Sequence, residues 1–467
     1  MAKPTPIDKE AQFRVNELFF SITDLRGIIL TGNDVFTRVS GYEREDIIAK
    51  PHSIIRHPDM PRAVFKLLWD TIQANKPIVA YVKNMAKDGA YYWVLACVFP
   101  LKDKYLSIRF KPTSAVFSLV QEVYKKMLAE EKISGMEGSV KLLTQILEEK
   151  GFRSYEEFMR FAMIEEMKSK DTAVKELFDS GQLSRFVLRQ KRNEEDSLKG
   201  KMSLIYRTCR DVDHIFSNNF KKMDNFVTLN KRLTEKSVYI LDLAEEIRLL
   251  SLNASVESNR MKDAGRTLSA VANEMKDNSQ ESAAKIAEVI HHIENVVKGL
   301  TGLIFELSAS KIQVEMMTFF SQEILNKLQT SGAKITVAEM QDVKSNVIFL
   351  IETLDRTSRE TLRKLGSLTE HLSELGIRIR QLQGYVRGAE LIHVNGIIET
   401  AKSQHAQGFS VIFNRAVKLV KAAKIELDEF REGVVMIREE ATTILGQDRE
   451  ITFLLDKVGV LVRELNA

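Results

Sequence analysis

The pattern of apolar and polar positions changes character once along the chain. Before residue 113 the apolar runs are short: 18–23, 27–30, 78–83, 91–100 and 105–110 have strand length and are rich in β-branched and aromatic residues. Between them, 33–39 and 61–74 show helical spacing. Two strands, short helices and three more strands predict an α+β unit, an antiparallel sheet with helices over it. From Ser114 the period becomes helical. Segments 115–130, 139–149 and 155–167 read as amphipathic helices, the first two separated by a charged, glycine-containing break. Beyond the charged run 189–201, heptads take over. Phe226, Leu233, Ile240, Ile247 and Ala254 recur every seven residues, and Leu365, Leu368, Leu372, Leu375, Ile379, Leu382 and Val386 alternate steps of three and four. That is a coiled-coil seam, and it predicts a mostly α, long antiparallel coiled-coil or four-helix-bundle region.

Composition sharpens this division. All 8 prolines lie at or before Pro112, so the remainder suits uninterrupted helices. At 467 residues the chain is too long for one core, and the expected domains are 1–112, 113–200, 201–330 and 331–467. Hydrophobic residues make up 44% and charged residues 28%, the balance of a soluble folded protein. Lys+Arg at 68 against Asp+Glu at 64 is too even for a nucleic-acid binder. No stretch approaches the roughly 20 apolar residues of a spanning helix, and the N-terminal segment lacks the apolar run of a secretory signal. The expectation is a cytoplasmic protein. Cys97 and Cys209 match no metal spacing, His291-His292 reads as a helix surface, and no phosphate-binding glycine loop is present, so no enzyme is expected.

Chemistry concentrates in the first domain. Val39-Ser-Gly-Tyr42, the segment Pro51-His-Ser-Ile-Ile-Arg-His-Pro-Asp-Met-Pro61, Trp69, Val82-Lys-Asn84 and Tyr91-Tyr-Trp-Val94 together resemble the PAS domain of the aerotaxis receptor family, with the hexapeptide Arg56-His-Pro-Asp-Met-Pro61 as the specific part. The resemblance implies FAD held non-covalently, its redox state being the signal. Asn33, Arg56, His57, Asp59, Trp69 and Asn84 would then line or support the pocket. The residue types agree: Trp69 can line an apolar slot, Asn84 can pair with a ring edge, and Arg56 can neutralise phosphate. Haem, or a fold with no cofactor in which His57 and Asp59 order the turn at Pro58 and Trp69 is core, are the other readings. Ile78 departs from the family's aromatic after Lys76-Pro77.

The helical half carries an internal repeat. Leu249-Leu-Ser-Leu-Asn-Ala-Ser-Val-Glu-Ser-Asn-Arg260 aligns with Leu391-Ile-His-Val-Asn-Gly-Ile-Ile-Glu-Thr-Ala-Lys402, 142 residues on. Small-residue patches follow each, at 263–265 and 406–408, predicting hairpin tips near Asp263 and Ala406. Residues 247–287 resemble the signalling tip of methyl-accepting chemotaxis proteins. That resemblance implies docking of a chemotaxis histidine kinase and its coupling protein through Asn253, Glu257, Arg260, Gly265 and Arg266. Departures include Thr267-Leu268 for the family's turn pair and Glu245 for its trimer phenylalanine. They leave open an adaptor for a motility, pilus or biofilm complex. Turn chemistry at Thr330-Ser-Gly-Ala-Lys334 predicts that the two hairpins, 204–329 and 340–465, fold back into a single-chain four-helix bundle. A homodimer is the competing arrangement.

Overall fold

The computed structural model describes residues 4–184, 186, 197–260, 266–330, 336–402 and 407–465. The expected reversals at 263 and 406 and the linker 331–334 therefore lie outside the described residues. Two compact units form, one from residues 1–217, 307–358 and 450–467, the other from 218–306 and 359–449.

The first unit contains an antiparallel sheet. Strands β1 (Phe19–Asp24), β2 (Ile29–Gly32), β3 (Ile78–Met85), β4 (Tyr91–Pro100) and β5 (Lys104–Phe110) lie in the order β2-β1-β5-β4-β3. Short helices α1 (Asp34–Ser40) and α2 (Arg44–Ile47), a 3₁₀ turn (His52–Ile55) and α3 (Arg62–Gln73) fill the connection between β2 and β3. The sheet is buried on both faces, which is why β3 and β4 read as near-continuous apolar runs. Helix α4 (Ala115–Glu149) covers the outer face, with Phe117 stacked on Tyr81 at 5.9 Å and set edgewise to Trp93 at 5.3 Å. Its expected break is a kink at Gly135, whose φ of 70° needs glycine. Helix α5 (Tyr155–Asp179) follows.

The rest of this unit comes from segments far along the chain, an arrangement the sequence reading did not foresee. Phe320 of α7 (Arg266–Thr330) meets Phe20 of β1 edge-on at 5.3 Å. From α8 (Val337–Ala401), Asp342 pairs with Arg44, Asn346 donates to Thr31, and Lys104 lies over the Phe349 ring. A network of charges joins α5 to α6 (Leu198–Arg260) and α7. Glu315 accepts from Lys170 and Lys311, and Lys311 also pairs with Asp171. Burial opposes the charge on Glu315, but the two lysines hold its carboxyl down at about 2. Burial and the neighbouring Glu315 push Asp213 of α6 up to about 7.

The second unit is a four-helix bundle made within one chain. Leu250 and Ala254 of α6, Leu268, Ala272 and Met275 of α7, Ile392 of α8, and Phe409, Phe413 and Ala416 of α9 (Gln407–Leu445) share one core. Ion pairs close its flanks: Lys236–Glu426 between α6 and α9, Arg378–Glu288 between α8 and α7. Gly396 lets α8 approach α9 closely, because a Cβ there would sit 2.5 Å from the Phe413 ring. The seam residues Leu365, Leu368, Leu372, Leu375 and Ile379 are buried. The final arm departs from the expected uninterrupted helix. It breaks after Leu445, and α10 (Asp448–Arg463) begins beyond Gly446-Gln447. Gly446 is a weak helix former, and the Gln447 side chain turns to accept from Asn219 at 2.8 Å. Among the described residues no helix is long and apolar enough to cross a membrane.

Candidate ligand-binding site

Alternation along the strands builds one polar wall inside the sensor sheet. Ser21 and Thr23 of β1, Val82 and Asn84 of β3, Ala96 and Val98 of β4, and Tyr105, Ser107 and Arg109 of β5 all face a cavity of about 320 Å³. Phe65, Leu68, Trp69 and Ile72 of α3 close the opposite side, with Pro51, His52, Ser53 and Arg56 at one end. Trp69 meets Tyr105 edge-on at 6.0 Å, and its indole also fixes the β1–β2 turn. Gly27 there has a φ of +80°, and a Cβ would sit 3.0 Å from the indole.

Arg109 lies on the central strand and is only 3% exposed. Its Nη2 donates to Ser21 Oγ at 3.0 Å and to His52 Nε2 at 2.6 Å, and its guanidinium lies beside the stacked Phe19 and Phe36 rings, 5.9 and 5.6 Å from their centroids. Burial lowers Arg109 to about 10, so the group stays charged at neutral pH. Burial and that charge hold His52 well below the ordinary imidazole range, which keeps the ring neutral and its Nε2 an acceptor. Nη1 of Arg109, Nδ2 of Asn84 and Oγ of Ser107 are buried with no hydrogen-bond partner among the described residues. Buried polar groups are rarely left so. Among the described residues three arginines line the cavity (Arg26, Arg56 and Arg109), and no carboxylate does.

The hexapeptide frames the wall. Its backbone bridges Arg56 to Asn84 at the free edge of β3. Arg56 stacks over Phe65 at 3.9 Å, and burial lowers its pKa. His57 is buried, and its Nδ1 accepts from the Asp59 N–H at 3.1 Å. Asp59 pairs with Lys83 at 2.7 Å, which keeps its carboxyl below the usual range, while Met60 Sδ accepts from the Lys83 N–H. Of the six residues singled out from the sequence, then, Arg56, Trp69 and Asn84 line the cavity. His57 and Asp59 fasten the loop beside it. Asn33 lies elsewhere, accepting from Phe20 N–H and donating to Leu18 C=O and to Glu323 of α7. Sequence reasoning missed Arg109, Ser107 and His52.

The same sheet is wired to the helices. Tyr81 lies on the outer side of β3, next to the cavity-lining Val82, and burial pushes its phenol up, so it donates. It donates to Glu166 of α5 at 2.8 Å. Glu166 is fully buried and also accepts the Thr113 and Ser114 N–H groups and the Ser114 hydroxyl. One carboxylate thus joins β3, the two residues that lead into α4, and α5.

Near the bundle tip, Asn253 is exposed and Glu257 pairs with Arg260 at 3.3 Å. Arg266 is exposed, and Gly265 lies outside the described residues. Glu245 is exposed beside Arg248. Around these residues lie Leu249, Leu252 and Val256, 46%, 49% and 48% exposed. Their counterparts in the repeat, Leu391, Val394 and Ile398, are 67%, 40% and 49% exposed.

Comparison with known proteins follows the same division. The PAS fold matches residues 29–108, and the methyl-accepting chemotaxis protein (MCP) signalling domain matches 205–369. The aerotaxis receptor of Escherichia coli (strain K12) is 39% identical over 114 residues, 23% of this chain and 22% of that protein. Methyl-accepting chemotaxis protein CtpH of Pseudomonas aeruginosa is 30% identical over 198 residues, 41% of this chain and 33% of that protein. Biofilm dispersion protein BdlA of the same organism is 20% identical over 297 residues, 62% of this chain and 58% of that protein. The chain spans less than two thirds of the length of each.

Proposed function

We propose that this chain, which carries a PAS-fold domain and an MCP signalling domain and is homologous to the aerotaxis receptor, reads redox state in the cytoplasm through a flavin, FAD foremost, and relays it to a chemotaxis kinase complex. The observation that carries this reading is the sensor cavity, apolar on the α3 side, cationic, and lined by three unsatisfied polar atoms. Trp69 and Leu68 would cover the ring, Asn84 and Ser107 would meet its polar edge, and Arg56 with Arg26 would face the phosphates. A flavin supplies reversible electron uptake when bound. Haem fits less well, because the histidine that lines the cavity already lends its Nε2 to Arg109.

In this reading residues 1–112 sense, 113–200 transmit, and the two hairpins at 201–330 and 331–467 deliver the output. A change in hydrogen bonding at Asn84 reaches the outer side of β3 within a few residues. There Tyr81 and Glu166 hold the start of α4. At the tips Asn253, Glu257, Arg260, Gly265 and Arg266, with the apolar triads, offer the face for the kinase and its coupling protein.

Purified protein from flavin-supplemented expression is expected to be yellow, with flavin released on denaturation and its content lowered by Asp59→Asn or Trp69→Ala. Colourless protein sinks the reading, and a sharp Soret band moves it to haem. Hydrogen exchange over residues 112–170 is expected to differ between oxidised and reduced protein. A second reading, an adaptor for a surface-attachment complex, is favoured by the match to the biofilm dispersion protein, which spans more of this chain than either chemotaxis relative described above. Pull-down separates the two: chemotaxis kinase recovered, or a complex without it.

A further inference from the structure

We infer that Arg109 sets the electronic character of the ligand in the sensor cavity: its free Nη1 takes the electron-rich edge of the bound ring and favours the form in which that edge is anionic. This rests on the flavin reading and deepens it.

A buried guanidinium needs compensation, since a charge removed from water costs far more than a packed apolar side chain unless an opposite charge or a full set of acceptors receives it. Arg109 has part of that set. Nη2 uses both its hydrogens, on Ser21 and His52, and the Phe19 and Phe36 rings lie beside the guanidinium. Nη1 has two more hydrogens and no partner among the described residues. Among the described residues no carboxylate lines the cavity, and its other titratable groups are Arg26, Arg56, His52 and Tyr105. A clamp meant only to tie β5 to the His52 turn would have no use for a permanent cation. The side chain is preorganised for an acceptor that arrives with the ligand. Asn84 Nδ2 and Ser107 Oγ, also unpaired, lie on the same wall.

For a flavin that acceptor has a definite chemistry. A neutral ring that takes up two electrons and one proton carries one negative charge, spread over its N1–C2=O edge. A fixed guanidinium donating there binds that form more tightly than the neutral one. By linkage, the preference appears as a reduction potential raised relative to the same pocket without the charge.

The test uses the full chain loaded with flavin and titrated anaerobically with dithionite against a reference dye. Arg109→Met is expected to lower the midpoint by at least the equivalent of a tenfold loss of preference, about 30 mV for a two-electron couple. Arg109→Lys is expected to retain most of the wild-type value. In the wild type alone, acid titration of the reduced protein is expected to convert anionic to neutral reduced flavin at lower pH than free reduced flavin in the same buffer. An unchanged midpoint in flavin-replete Arg109→Met overturns the inference. So does wild-type conversion at or above the pH of free flavin, and that result decides the matter if the variant fails to fold or to hold flavin. Colourless wild-type protein overturns the flavin reading and this inference together, whereas yellow protein with either negative result overturns this inference alone.

Discussion

In the sensor-bearing unit buried charged side chains hold the interior together, whereas in the bundle the interior is mostly apolar and the ion pairs lie on its flanks. Glu166, Glu315, Lys311 and Arg109 sit inside the first unit, each tied to named partners across elements. In the bundle, Arg232–Glu429 and Lys236–Glu426 are partly exposed, and the core repeats leucine, isoleucine and phenylalanine layers. Its buried polar residues are mostly small, Ser251, Ser279 and Thr361 among them, and His393, buried beside Phe413, is held down at about 4 by burial. The difference teaches where specificity resides. A heptad core tolerates exchange among similar side chains, while a buried network fixes one geometry and can be altered by one charge.

Four measurements break or sharpen that contrast. The largest effect is expected for Glu315→Ala, which takes the carboxylate from Lys170, leaves Lys311 with Asp171, and should cost about 3–5 kcal/mol in urea unfolding. A loss below 1 kcal/mol, the range of exposed pairs, would erase the distinction between the units. In the bundle, shape should matter instead. Gly396→Val forces a methyl group into the Phe413 ring and is expected to cost about 1–3 kcal/mol by thermal unfolding. No loss there would show that the close approach of α8 and α9 is loose.

The third concerns pH. Burial and the neighbouring Asp34 carboxylate raise Glu323 to about 7, and Asp213 is raised to a similar value. The folded state therefore holds these protons more tightly than the unfolded chain. Their contribution is fully present below the ordinary carboxyl range and is lost as pH rises through about 7. Unfolding midpoints of wild type and Glu323→Gln should diverge between about pH 4.5 and 7, with the variant the more stable at the upper end. Parallel curves would mean that Glu323 is ordinary. The smallest effect on stability is expected at the tips. Leu249→Ser and Leu391→Ser should stay within about 0.5 kcal/mol of wild type yet weaken kinase recovery in pull-down. Unchanged recovery in the double variant would remove the triads from the partner face.

Legibility in the sequence followed the same contrast. The heptads around Leu365–Ile379 needed only spacing, and the strands needed only length and residue type. The kink at Gly135 was visible as a charged, glycine-containing break. Arg109 was not, because Tyr105, Ser107 and Arg109 alternate with Leu106, Ile108 and Phe110, and such alternation ordinarily marks a solvated face. Here the polar side of a central strand faces a cavity. The available signal was that strand's place in the sheet, which pairing decides and the local pattern does not. The docking of β1 and α1 on α7 was hidden for a similar reason, since Asn33 and Glu323 are 290 residues apart and neither departs from its local pattern. The interruption at Gly446-Gln447 was passed over because the apolar period resumes beyond it.

The sharing of one core by α6, α7, α8 and α9 changes how the assembled bundle depends on amount. Where two chains must meet, the fraction assembled falls on dilution. Here the second hairpin is tethered to the first, so its effective concentration is set by the connecting segment and not by expression level. A cell holding only a few copies would still hold each of them with its bundle complete.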